Sequence, residues 1–329
     1  MIKISQAKMD ALNRLSNEKG LIEALAIDQR GSLKKMLADA STIATGEEIV
    51  DFKKVASQEL TPYASAILLD PEYGLPATKV RDKNCGLLLA YEKTGYDTST
   101  PGRMPDLLET WSVSRLKEAG ADAIKFLLYY DPDEPASINK LKHVFVERLG
   151  SECLGEDIPL FVEIVTYDTE ITDASSAAFA RVKPHKVLES MIEFSKPQYH
   201  IDVLKMEVPV NMNYVEGFAE NEVVYSKKEA LGYFKKQSEL TELPFIFLSA
   251  GVSTKLFQET LEFAKEAGSK FSGVLCGRAT WREGVKPFAA KGEAAGRDWF
   301  ATQGKENIET LNEIVDRCGT SWRSKVEVG

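Results

Sequence analysis

Along the chain, short runs of Val, Ile, Leu and Phe recur between longer stretches in which apolar positions return every three or four residues. Runs of that kind suit parallel strands buried on both faces, and the intervening periodicity suits the helices that cover them. Strands are predicted near Ile22 to Asp28, Ser65 to Asp70, Gly86 to Tyr91, Asp122 to Leu128, Pro159 to Val165, Asp202 to Val208, Pro244 to Ser249 and Gly273 to Gly277. Helices are predicted over Gly46 to Leu60, Pro105 to Ala119, Glu134 to Leu149, Pro184 to Phe194, Ser226 to Glu239 and Thr254 to Ala267, with another near Lys305 to Cys318. Ser226 before KKEALGYF and Pro105 in MPDLLETW read as helix starts, through a side-chain cap and an early proline. The second and third strands lie too close for a full helix between them.

About eight strand and helix units without a Pro/Gly/Ser-rich linker predict one domain over residues 1–329. The expected fold class is α/β, a closed (β/α)₈ TIM barrel, with an N-terminal helix in MIKISQAKMDALNRL and a C-terminal helical tail. An open doubly wound sheet is the rival, but it calls for a glycine fingerprint after the first strand, and AIDQRGSLKK offers a single glycine. Trp322 in the tail has two docking places open to it, the barrel itself or a neighbouring subunit of a homo-oligomer.

Composition narrows the partners. A net charge of −9 disfavours nonspecific binding to nucleic acid or an anionic membrane, although a few local cations can still attract an anionic small molecule. No run approaches the roughly 18 apolar residues of a membrane span, and the N-terminus lacks the apolar core of a signal peptide. Cys85, Cys153, Cys276 and Cys318 are far apart with no CxxC pair, which suggests neither a disulfide framework nor a zinc site and fits a cytoplasmic location.

The chemistry is suggested by charges inside apolar strands: Lys125 in DAIKFLL, Glu163 in PLFVEIV, and Lys205 with Glu207 in DVLKMEV. An isolated buried charge costs several kcal/mol, so such residues need partners or a task. Alternation puts Lys125 on one face with Ala123 and Leu127, and Glu163 with Phe161 and Val165. If those faces point into the barrel, two lysines and a carboxylate converge toward the C-terminal ends of the strands, where barrel active sites form. One lysine can activate the other by repulsion, and Glu163, given an environment that raises its pKa, can carry protons. These are the parts of imine catalysis. Asp28 at the end of the first strand is a candidate for orienting a lysine or a hydroxyl.

The seventh and eighth strands end in FLSAGVST and VLCGRATW, where barrels commonly bind phosphate through backbone N–H groups. Ser249, Gly251, Gly277 and Arg278 fit that role, the glycines by allowing close approach and the arginine by bidentate pairing. Other readings stay open on these residues alone. They are metal-assisted aldol cleavage, pyridoxal phosphate on a barrel lysine, an aldolase for a sulfonated sugar phosphate, and an aldolase-like metabolite-sensing regulatory protein. His143, His185 and His200 lie in or beside predicted helices without ligand spacing.

The segments EALAIDQRGSLKK, LLDPEYG, AIKFLLYYDP, FVEIVTYD, VLKMEVPVN, FLSAGVS and GVLCGRATW make the chain resemble, over nearly its whole length, the tagatose 1,6-bisphosphate aldolases of lactose and galactose catabolism. The resemblance implies a (β/α)₈ class I lyase that cleaves D-tagatose 1,6-bisphosphate to dihydroxyacetone phosphate and glyceraldehyde 3-phosphate, with loose stereospecificity and without metal or other cofactor. It implies Lys205 as the Schiff-base residue, Glu163 as the proton carrier, and Lys125 and Asp28 as further polar groups of the site. It places Ser249, Gly251, Gly277 and Arg278 around the C1 phosphate of the ketose, and Gln29 and Arg30 toward the other end.

Overall fold

Each apolar run forms a strand because it is buried twice, one face toward the barrel axis and one toward the surrounding helices. The computed structural model describes residues 1–40, 46–93 and 100–329. Within them the strands are β1 (Ile2–Ile4), β2 (Ile22–Ala26), β3 (Ala66–Leu69), β4 (Gly86–Ala90), β5 (Ala123–Tyr130), β6 (Leu160–Thr166), β7 (Val203–Met206), β8 (Phe245–Phe247), β9 (Gly273–Cys276) and β10 (Val326–Val328). Strands β2 to β9 close into a parallel barrel in chain order, with Ile22 of β2 registered on Gly273 of β9. These are the eight strands expected from the sequence.

The barrel has two distinct apolar surfaces. Ala24, Ala26, Ala66, Leu68, Leu88, Ala90, Ala123, Phe161, Val203, Ile246 and Leu275 pack together in one cluster inside it. Their strand neighbours, such as Leu25, Ile67, Leu89, Ile124, Val162, Leu204 and Phe247, join the larger core under the helices. Alanine at so many inward positions leaves room above for long charged side chains.

The helices differ from expectation in instructive ways. Gly46–Leu60, Lys227–Glu239 and Lys305–Cys318 form as predicted, the second with a reciprocal Ser226–Glu229 capping box. The segment around Pro105 does not start a helix: Leu107 bridges antiparallel to Glu92, and only Val113–Glu118 is helical, capped by Ser112. Pro184 does not start one either, because the helix already runs from Ala177 to Phe194. The carbonyl of Ala180, deprived of its donor by the proline, accepts instead from the Tyr225 hydroxyl at 3.0 Å. A helix over Gly31–Ala40, absent from the sequence reading, follows β2.

Both ends of the chain close the N-terminal mouth of the barrel. Residues 2–4 are not helical as expected but pair in parallel with β10, and the helix begins at Gln6 after a Ser5 cap. Trp322, fully buried, packs with Leu12, Leu15, Ile22 and Val326, so the tail docks on its own barrel. Among the described residues, no helix is long and apolar enough to cross a membrane. Trp322→Ala should lower the unfolding free energy by about 3–5 kcal/mol, the usual cost of deleting a buried aromatic. Chemical denaturation checks this, and an unchanged midpoint would mean that the plug carries no weight.

Candidate active site

The inward positions of each strand continue past its last apolar residue, and the next inward residue is often charged. Asp28 follows Ala24 and Ala26, Glu92 follows Leu88 and Ala90, Lys125 follows Ala123, Glu163 follows Phe161, and Lys205 follows Val203. These five side chains meet at the C-terminal end of the barrel, on the floor of a cavity of roughly 780 Å³.

Lys125 Nζ donates to Asp28 Oδ2 at 2.9 Å and to Glu92 Oε1 at 2.5 Å, and lies 2.9 Å from Glu163 Oε2. Lys205 Nζ lies 2.9 Å from the same Glu163 oxygen. Glu163 therefore bridges the two lysines. Glu92 was not foreseen: it stands two residues beyond β4, and its second oxygen accepts from the Leu127 N–H at 3.2 Å. The signal for it was present in the alternation Leu88, Ala90, Glu92.

The electrostatics separate the three carboxylates. Burial pushes each upward, but for Asp28 and Glu163 the ammonium groups of Lys125 and Lys205 outweigh it and hold both below their ordinary values. For Glu92 burial wins over Lys125, and its pKa is raised. The raised carboxyl expected at Glu163 is thus found at Glu92, because Glu163 faces two cations. Lys125 is itself raised well above normal, since three carboxylates overcome the cost of burying it.

The rim carries the remaining expected residues. Ala250 and Gly251 both have positive φ (49° and 76°), and a Cβ on Gly251 would come within 3.0 Å of Arg278 Nη2, so the glycine lets the guanidinium lie against the loop. A Cβ on Gly277 would sit 3.3 Å from Gln29 Nε2. Ser249, Gly277, Gln29 and Arg30 all line the cavity. Arg30 donates to Glu72 at 2.5 Å and to the Glu92 carbonyl at 2.7 Å. Glu207 turns to Lys183 at 3.0 Å and to Thr166, serving as a scaffold pair. Tyr129 lines the cavity, whereas Tyr130 faces outward and its hydroxyl bonds His143 at 2.9 Å.

A lysine amine beside a carboxylate, with a second ammonium locked by three carboxylates, has the parts that imine formation needs. Comparisons with known proteins agree in kind. A family model described as DeoC/LacD family aldolase matches residues 22–283. The chain is 65% identical over 328 residues to tagatose 1,6-diphosphate aldolase 2 of Enterococcus faecalis, covering 100% of this chain and 99% of that protein. It is 56% identical over 323 residues to tagatose 1,6-diphosphate aldolase of Streptococcus agalactiae, covering 98% and 99%. Among solved structures it is similar in fold to fructose-bisphosphate aldolase of Plasmodium falciparum, with a TM-score of 0.67 at 16% identity over 100% of this chain and 98% of that one. An archaeal fructose 1,6-bisphosphate aldolase matches with a TM-score of 0.58 at 17% identity over 93% and 98%.

Linkage gives the charge cluster a signature. Asp28 and Glu163 are held low, so their contribution to stability is full above the unfolded carboxylate range near about pH 4 and is lost as pH falls through their folded values. Lys125→Met should destabilise the fold at neutral pH by about 3–5 kcal/mol, as expected when a buried pair loses one partner. It should also raise the midpoint of acid unfolding followed by circular dichroism. A midpoint at or below that of the parent protein would refute this account of the cluster.

Proposed function

The chain belongs to the DeoC/LacD family of aldolases, and from that premise we propose that Lys205 forms the Schiff base through which it cleaves D-tagatose 1,6-bisphosphate to dihydroxyacetone phosphate and D-glyceraldehyde 3-phosphate. It is an aldehyde-lyase, as its relatives named tagatose 1,6-diphosphate aldolase are. Its place is the tagatose 6-phosphate branch of lactose and galactose catabolism, in the cytoplasm. The observation that carries the mechanism is the single Glu163 oxygen shared at 2.9 Å by Lys205 and Lys125.

Lys205 passes a proton to Glu163 and its free amine attacks C2 of the ketose, forming a carbinolamine. Glu163 returns a proton as the hydroxyl leaves as water, giving a protonated imine. The C4 hydroxyl then loses its proton to Glu163, the C3–C4 bond breaks, and the electron pair enters the iminium as an enamine. The aldehyde departs, C3 is reprotonated, and water hydrolyses the imine. Once Lys205 is a neutral carbinolamine, Glu163 faces one cation instead of two, so its proton affinity rises when it must hold a proton. Lys125, fixed by Asp28 and Glu92, remains an ammonium and orients Glu163. Ser249, Gly251, Gly277 and Arg278 hold the C1 phosphate, while Gln29 and Arg30 reach the other half of the sugar.

Borohydride reduction with tagatose 1,6-bisphosphate should leave a reduced adduct on the Lys205 peptide and end activity. Lys205→Met should lose both adduct and turnover, and Glu163→Gln should lower kcat by about 10²–10⁴-fold. Active enzyme with no adduct would overturn the imine mechanism.

A further inference from the structure

Six cations line the cavity among the described residues: Arg30, Arg103, Lys125, Lys183, Lys205 and Arg278. Four are committed to carboxylates, Arg30 to Glu72, Lys183 to Glu207, Lys205 to Glu163, and Lys125 to three of them. Arg103 and Arg278 have no carboxylate within ion-pairing distance among the described residues. Arg278 follows β9, and Arg103 is set between the β5 and β6 ends, since its guanidinium lies 5.5 Å from the ring centre of Tyr129 and 4.3 Å from that of Tyr167. In a closed ring of eight strands β5 is diametrically opposite β9. Arg278 lies against the Gly251 loop after β8 and Arg103 at the β5 and β6 ends, so two guanidinium groups without a carboxylate partner among the described residues stand at separate parts of the cavity wall.

The backbone is bent to deliver Arg103. Gly102 and Arg103 have φ of 93° and 41°, and a Cβ on Gly102 would strike Ile138 Cγ2 at 2.7 Å. A non-glycine residue in the left-handed region is costly and concentrates where the chain must aim a group. Over two tyrosine rings and without a carboxylate partner among the described residues, the guanidinium keeps its charge for an anion.

We infer that Arg103 binds the phosphate on the aldehyde half of the substrate, apart from the phosphate held at Arg278, and so makes the enzyme selective for ketose bisphosphates over ketose 1-phosphates. The inference rests on the imine reading of the site. Arg30, already neutralised by Glu72 and half-turned to the Glu92 carbonyl, supplies orientation to this half of the sugar, and Arg103 supplies the charge.

Arg103→Met and Arg103→Lys are compared on tagatose 1,6-bisphosphate and tagatose 1-phosphate, and in the condensation direction. For Arg103→Met, kcat/KM on the bisphosphate should fall about tenfold to a hundredfold, the range for one lost charge-assisted contact, with the 1-phosphate unchanged. KM for glyceraldehyde 3-phosphate should rise while KM for dihydroxyacetone phosphate stays put, and lysine should recover part of the preference. An equal loss on both sugars would make Arg103 a packing residue and overturn the inference. So would selective loss in Arg30→Met with Arg103→Met silent. Borohydride trapping of dihydroxyacetone phosphate keeps the two readings apart. A Lys205 adduct in Arg103→Met with unchanged bisphosphate preference sinks the Arg103 assignment alone, and no adduct in the parent enzyme sinks the imine site beneath it.

Discussion

The site depends on one buried ammonium. Lys125 reaches the barrel axis from β5 and is met by Asp28, Glu92 and Glu163 from three other strands. An ammonium in that position is unaffordable alone and three carboxylates are unaffordable without it, so each side fixes the other. In the proposed mechanism this divides the labour between two lysines. Lys125 has three carboxylate partners and is held well above its ordinary range, which favours its ammonium form. Lys205 has a single carboxylate partner among the described residues, the one that a proton transfer would neutralise.

Around this centre, lysines of the outer helices bind carboxylates in the loops that leave the strands. Lys53 pairs with Asp70 after β3, Lys142 with Glu134 after β5, Lys186 with Asp131 and Asp168, and Lys183 with Glu207 after β7. Buried pairs of this kind add little net stability, because the attraction mainly repays desolvation. What they do is hold loops to a rigid ring of helices, so that side chains on the loops converge on a fixed floor. Gln237 adds a neutral version of the same device, donating to the Glu207 carbonyl at 2.9 Å.

The parts of this arrangement that were legible in the sequence are those written into local pattern. Doubly buried strands leave continuous apolar runs, and Lys125, Glu163 and Lys205 stood out because charge inside such a run has no ordinary explanation. Glu92 was missed because it lies just past its run, in AYEKTG, where a charged residue looks like the start of a loop. The strands Ile2–Ile4 and Val326–Val328 were missed because each is defined by the other, and no local window contains both ends of the chain. The helix expected from Pro105 fails for a similar reason, since Leu107 is claimed by a long-range bridge to Glu92. The raised carboxyl expected at Glu163 falls at Glu92 instead, because the direction depends on how many cations each group faces, which only the closed barrel decides.

The same geometry resolves an apparent conflict between the charge of the chain and the charge of its substrate. At −9, the protein as a whole repels a bisphosphate. Its described cavity wall, however, sets six cations against four carboxylates, Asp28, Glu92, Glu163 and Glu207. A concave wall with low-dielectric sides concentrates that local excess, while the distant acidic surface is screened over a Debye length of about 8 Å at physiological ionic strength. The acidic exterior and the cationic mouth therefore act on different length scales. The first disfavours nonspecific contact with polyanions, and the second gives an anionic small molecule a local excess of positive charge.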